Sequence, residues 1–191
     1  MPTENEINAP IRILLLGSDT NIGQEFSSFS NELAEFSLTS LRQEDFLQQD
    51  FNEQSFEQFD VVLDTLSVEA ELNNDYLSQI KHCNQILLDK TISMFMLSSV
   101  EVFSGQKEVA YEEGDTPDSE LEKGKRLAEI EYLVLNDEKS IVLRSGWLFG
   151  GKKEDFVAST LAAFKAGDDV PLQDNFVGNP TPVSDLVRVA F

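Results

Sequence analysis

A chain of 191 residues, 41% of them hydrophobic, is long enough to bury one sizeable core and falls in the range of a single domain. Its 35 acidic and 14 basic residues give a formal net charge of −21, which excludes nucleic acid and anionic membrane as partners drawn by long-range attraction. No apolar run approaches the roughly 20 residues that span a bilayer; residues 1–10 are polar and unlike a signal peptide, and the single cysteine, Cys83, excludes an intramolecular disulfide, so the cytoplasm is the expected location. The acidity itself reads as solvated faces, as a salt-adapted surface, or as a match for a basic partner protein.

The run Ile11-Arg12-Ile13-Leu14-Leu15-Leu16 predicts a buried strand that ends at Gly17, and a helical pattern begins at Ile22. Further strands are expected over residues 36–39 and 61–63. The stretch 43–58 between them is acidic and rich in glutamine, and is expected to stay out of the core. Helical periodicity returns over residues 74–88, followed by a strand over 93–97 that ends at Ser98-Ser99. A long loop containing Gly105, Gly114 and Pro117 leads to a helix over 119–136. A strand over 140–143, a Gly150-Gly151 turn, a helix over 155–166 stopped by Gly167, and an amphipathic helix over 183–191 complete the chain. Strands alternating with helices of this length predict an α/β fold, a doubly wound parallel sheet of the Rossmann type with helices on both faces.

In such a fold the first strand delivers the chain to a glycine turn, where N–H groups at the next helix N-terminus receive a pyrophosphate. Gly17-Ser18-Asp19-Thr20-Asn21-Ile22-Gly23 lies at that point, with Asn21 expected to cap the helix and Gln24 to complete a variant capping box. Two glycines six apart after a strand also occur in ordinary turns. His82 and Cys83 are adjacent with no second cluster of ligating residues, so no metal site is expected.

The turn is joined by four other segments in a fixed order: Leu97-Ser98-Ser99-Val100-Glu101-Val102-Phe103-Ser104-Gly105, Lys125-Arg126-Leu127-Ala128-Glu129, Arg144-Ser145-Gly146-Trp147-Leu148-Phe149-Gly150 and Gly178-Asn179-Pro180-Thr181. Together they resemble the dTDP-4-dehydrorhamnose reductase family, a branch of the extended short-chain dehydrogenases, over residues 11–190. The resemblance implies reduction of a keto sugar on a nucleotide with hydride from NADPH or NADH. It also implies a Ser or Thr that holds the carbonyl, a Tyr that donates the proton, and a Lys four residues later that binds ribose and lowers the Tyr pKa. Matched residue by residue, Ser99 and Lys125 take the serine and lysine positions as catalytic candidates, and the tyrosine position is Leu121. Ser99 also reads as a strand-end hydroxyl, and Lys125 as a surface lysine.

The expected cofactor-binding residues are Gly17, Asp19, Thr20, Asn21, Ile22, Gly23, Arg42, Thr65 and Lys125, with NADP or NAD as cofactor and a nucleotide-sugar-like small molecule as ligand. Thr20 replaces the family's middle glycine and would crowd a pyrophosphate if the turn needs positive φ there. Asp64 would repel phosphates unless it turns away, while Arg42 at the tip of the second strand favours a 2′-phosphate. Tyr111 and Tyr132 are poorly spaced to replace the missing acid. Trp147 and Phe149 are expected as core and pocket wall. The division expected is a disordered tail over 1–10, an NAD(P)-binding Rossmann domain over 11–170, and the start of a truncated substrate-binding portion over 171–191. The last helix is expected to leave apolar surface that a second copy or a protein partner covers. Loss of the tyrosine points to impaired reductase chemistry, and the alternative is a non-catalytic regulatory or binding protein that keeps the fold.

Overall fold

The structure is a computed structural model and describes residues 9–151, 155–170 and 178–190. Residues 1–8 of the tail expected over 1–10, and residues 171–177 and 191 of the portion expected over 171–191, lie outside the described residues.

Five strands form one parallel sheet in the order β2-β1-β3-β4-β5: β1 (Ile11–Leu16), β2 (Phe36–Leu41), β3 (Val61–Asp64), β4 (Ser93–Ser99) and β5 (Ile141–Ser145). The central strands are buried on both faces, so they read as apolar runs rather than alternating ones. Alternate residues supply the two cores. Leu14, Leu16, Val62, Met94 and Met96 face one cluster, while Ile13, Leu15, Leu63 and Leu97 face the other.

Helices cover both faces. The first cluster is closed by α4 (Asn74–Lys90) and α5 (Glu122–Val134), which pack on each other, and by the shorter α2 (Gln43–Gln48) and α3 (Leu66–Glu69). The second is closed by α1 (Asn21–Ser30) and α7 (Val183–Ala190). A two-residue ladder between β6 (Leu148–Phe149) and β7 (Thr181–Pro182) ties the last described segment to the end of β5, and α6 (Phe156–Ala166) has no buried residue. As the sequence predicts, Gly167 ends α6 in the left-handed region at φ +78°, with Asp155 capping its start. Chain order reverses between β1 and β3, so the crevice beyond their C-terminal ends is the switch point where ligands bind in this architecture.

Four expectations are corrected. The acidic stretch over 43–58 enters the core: Phe46, Phe51 and Phe56 are buried, with ring centroids 5.6 Å apart for the first two and 5.3 Å for the last two. Phe46 lies in α2, Phe56 is the C-cap of a 3₁₀ turn over Glu53–Ser55, and Phe51 lies between the two elements. Polar residues of α4 satisfy the loop's carbonyls, Gln79 at Phe46 (3.0 Å) and Gln49 (2.6 Å), and the His82 ring at Phe51 (2.9 Å).

The last helix lays its apolar face on its own chain, with Val183, Leu186 and Val187 buried; Val189 stays exposed, and Phe191 lies outside the described residues. Trp147 is not core but partly exposed, packed against Gly178. Finally, α5 begins at Glu122 rather than 119, because the N–H groups of Asp118 and Ser119 both bind the Val102 carbonyl and hold that segment extended.

Candidate active site at the switch point

The turn between β1 and α1 is built from backbone geometry and two threonines. Gly17 takes positive φ (+91°), whereas Thr20 is extended at φ −70° and ψ 163°. Threonine therefore needs no left-handed backbone and is unstrained. It is the N-cap in place of Asn21: its Oγ1 accepts from Gly23 N–H at 2.9 Å and donates to the Gly17 carbonyl at 2.8 Å. Gln24 does not return to the cap but donates to the Asp19 carbonyl at 3.1 Å. Gly23 is required by close approach, since a Cβ there would lie 1.9 Å from the Gly17 carbonyl oxygen.

Thr65 supports the turn from beneath. It is fully buried, and its hydroxyl meets the carbonyls of Leu16 (2.8 Å) and Gly17 (3.3 Å) and the hydroxyl of Thr20 (3.2 Å). Asp64 turns away from the crevice into the first core. There it accepts from the N–H groups of Leu66 (2.9 Å) and Ser67 (3.1 Å) and from the Ser67 hydroxyl, which lies 3.0 Å from Tyr76 Oη. Burial pushes the Asp64 carboxyl up, and burial with the Asp64 charge does the same for the Tyr76 phenol and the Cys83 thiol.

Two other expected cofactor residues are engaged by the chain itself. Asp19 accepts from Gln43 N–H at 2.9 Å at the start of α2, and Arg42 pairs with Glu44 and with Asp45 (3.1 Å). The Asn21 side chain donates to the Gly150 carbonyl at 3.0 Å, bringing the Gly150-Gly151 turn against the phosphate turn.

One residue that sequence reasoning did not single out stands at the centre of this region. Glu69, the last residue of α3, places Oε2 3.0 Å from Asn21 N and Oε1 2.8 Å from Ile22 N. The glycines and the cap fit a pyrophosphate-binding turn, but the two amides that would receive the anion hold a carboxylate of the same chain. No spacing pattern signals this, because the partners are 48 and 47 residues apart.

The chemistry end lies at the tips of β4 and β5 and the start of α5. Ser99 is buried, and its Oγ accepts from Glu101 N–H at 3.2 Å, capping a 3₁₀ turn over Val100–Val102. The strand-end role of this hydroxyl is therefore real, and its O–H donor has no acceptor among the described residues. The Glu101 carbonyl would lie 2.2 Å from a Cβ at Gly124, so the absence of a side chain there lets α5 approach the end of β4. Leu121 is the N-cap of α5, 70% exposed and unable to accept from the first-turn amides. One turn on, Lys125 is exposed and makes no ion pair or side-chain hydrogen bond among the described residues. Tyr111 stacks on Phe103 (centroids 4.2 Å apart) and accepts from Gly105 N–H at 3.1 Å, and Tyr132 is exposed farther along α5.

Under this end lies a buried ion pair. Glu131 of α5, 1% exposed, accepts from Arg144 of β5 (Nη2 to Oε2, 2.8 Å) and from the Ser98 hydroxyl, and the Arg144 guanidinium sits 4.9 Å from the Phe103 ring centroid. Among the described residues no group of three metal-ligating side chains comes together, and no helix is long and apolar enough to cross a membrane.

Residues 11–191 match the family described as RmlD substrate binding domain. The chain belongs to this family. A curated relative, the dTDP-4-dehydrorhamnose reductase of Aggregatibacter actinomycetemcomitans, is 29% identical over 125 residues, which is 63% of this chain but only 42% of that protein's length. Among solved structures, the dTDP-4-dehydrorhamnose reductase of Bacillus anthracis in complex with NADP matches with a TM-score of 0.79 at 16% identity, over 95% of this chain and 69% of that one. MoeE5 in complex with UDP-glucuronic acid and NAD matches at 0.73 and 18% identity, over 94% of this chain and 69% of that one. These likenesses establish the Rossmann fold. The fold and family that the motifs implied are those of this RmlD-family chain.

Proposed function

We propose that this chain binds a nicotinamide dinucleotide, NADP or NAD, and a nucleotide-sugar-like ligand in a reductase frame whose reductase turnover is impaired. The observation that carries the reading is Leu121, the N-cap of α5 one turn before Lys125, where the family resemblance calls for the proton donor. When bound, the dinucleotide supplies the hydride. The carbonyl oxygen must also receive a proton. Ser99 can donate a hydrogen bond to that oxygen, and Lys125 can hold a ribose, but a hydrocarbon at position 121 has no proton to give. Support for the two ligands comes from the related structures, one holding NADP and the other UDP-glucuronic acid with NAD.

The test is an assay of the full chain with NADPH and a dTDP-4-keto sugar. No turnover above the uncatalysed rate is expected from the parent, and a measurable rate is expected from Leu121→Tyr. Robust turnover by the parent overturns the reading of impaired chemistry. Calorimetric titration with NADPH and NADH is expected to show binding that Lys125→Ala abolishes. A second reading, a non-catalytic regulatory or binding protein that keeps the fold, is favoured by the Glu69 carboxylate on the amides of Asn21 and Ile22. Absence of dinucleotide binding both in the folded parent and in folded Glu69→Gln decides for it.

A further inference from the structure

The start of α1 has no free donor for an anion. The four amides a helix leaves unpaired at its N-terminus are all assigned here. Thr20 N–H donates to the Gly17 carbonyl at 3.0 Å, Asn21 and Ile22 donate to Glu69, and Gly23 donates to Thr20 Oγ1. A carboxylate that offers one oxygen to each of two consecutive amides makes the contact that two oxygens of a phosphate would make at the same place.

The contact is also well supported. Glu69 lies within a segment fixed at both ends, by Thr65 on the Leu16 carbonyl and by the N–H of Ala70 on the carbonyl of Leu66 at 2.7 Å. Asp64 holds the first turn of α3 through the N–H groups of Leu66 and Ser67, so the backbone that presents Glu69 is anchored to the end of β3. The opposite wall is near as well, because the Asn21 side chain reaches the Gly150 carbonyl.

From this geometry we propose that Glu69 is an intramolecular stand-in for phosphate, which a dinucleotide must displace from the amides of Asn21 and Ile22 in order to bind. The inference rests on the reading that the chain binds a dinucleotide, and it names the residue that limits the affinity. Pyrophosphate gains no new donors at α1, because it exchanges with an anion already there. Binding then draws only on the fraction of molecules in which Glu69 has swung away, and apparent affinity falls by that fraction. The net charge of −21 acts in the same direction, since nothing in the long-range field draws a polyanion in to compete.

The experiment is calorimetric titration of NADPH and of NADH into the full chain and into Glu69→Gln and Glu69→Ala, with thermal melting of each to establish that it is folded. The glutamine keeps the side-chain volume should the alanine fail to fold. Binding at least tenfold tighter in the variants than in the parent is expected. In ¹⁵N-labelled protein, the amide resonances of Asn21 and Ile22 should shift on substitution and shift again on adding NADPH, and the gain in affinity is the outcome that a purely structural role for Glu69 would not produce. Equal affinity in parent and variants overturns the inference and leaves the dinucleotide reading standing. Folded variants that bind no better than a non-binding parent overturn both.

Discussion

The two halves of the crevice are completed in opposite ways. At the phosphate turn the polar groups are closed on themselves: Thr20 and Thr65 meet the Gly17 carbonyl, Asp19 caps α2, and Glu69 takes the amides of α1. At the chemistry end the polar groups point outward. Lys125 is exposed and unpaired among the described residues, Ser99 keeps its donor, and a leucine occupies the surface between helix and strand. The first half satisfies its amides with a carboxylate of the same chain; the second presents a leucine at the position where the family resemblance calls for a tyrosine. The same frame thus carries one region whose polar groups are satisfied internally and another whose polar groups are left open.

The comparison is broken most forcefully from below the chemistry end. Glu131 is buried against Arg144 and Ser98, tying α5 to β5 and β4. Removing one member leaves a buried charge without its partner, so Arg144→Met should destabilise the protein by about 3–5 kcal/mol in urea titration. The double variant Arg144→Met with Glu131→Leu should regain most of that loss, because no charge then stays buried. A single variant that melts like the parent would show that the chemistry end is not held by this pair.

At the phosphate end the corresponding substitution is Gly23→Ala. The added methyl would meet the Gly17 carbonyl, and backbone cannot yield as a flexible side chain does. A loss of about 2 kcal/mol is expected, of the size found for overpacked sites, with altered amide signals at Asn21 and Ile22. Stability unchanged, with those signals unmoved, would mean that the turn is looser than its hydrogen bonds imply.

What the sequence made legible follows from what acts locally. The strands were readable because residues buried on both faces must be apolar. Phe46, Phe51 and Phe56 were hidden because composition averages a segment, while burial is decided one side chain at a time. Thr20 was misjudged because its number of residues from Gly17 carries no φ; the positive φ sits on the glycine and leaves threonine free to cap. Glu69 could not be read at all. Its partners lie across the switch point, brought together only when β1 and β3 become neighbours.

The smallest effect is expected at the opposite end of the same two strands, where neither ligand region reaches. Arg12 of β1 and Asp60, just before β3, form a two-pronged ion pair with contacts of 2.7 and 3.0 Å, reinforced by Arg12 N–H on the carboxylate at 2.9 Å. The guanidinium and the backbone N–H hold the Asp60 carboxyl down from its ordinary 3.8 to about 2. A lowered carboxylate contributes stability above its ordinary value and loses it as pH falls toward the lowered one, so the contribution is present at pH 5 and gone below pH 2. Both side chains are nearly half exposed, which screens the attraction and keeps it small. Asp60→Asn should therefore lower the melting temperature at pH 5 by about 2 °C at most, with the difference from the parent closing as pH approaches 2. A loss as large at acid pH as at pH 5 would show that packing, rather than charge, joins β1 to β3 at this end.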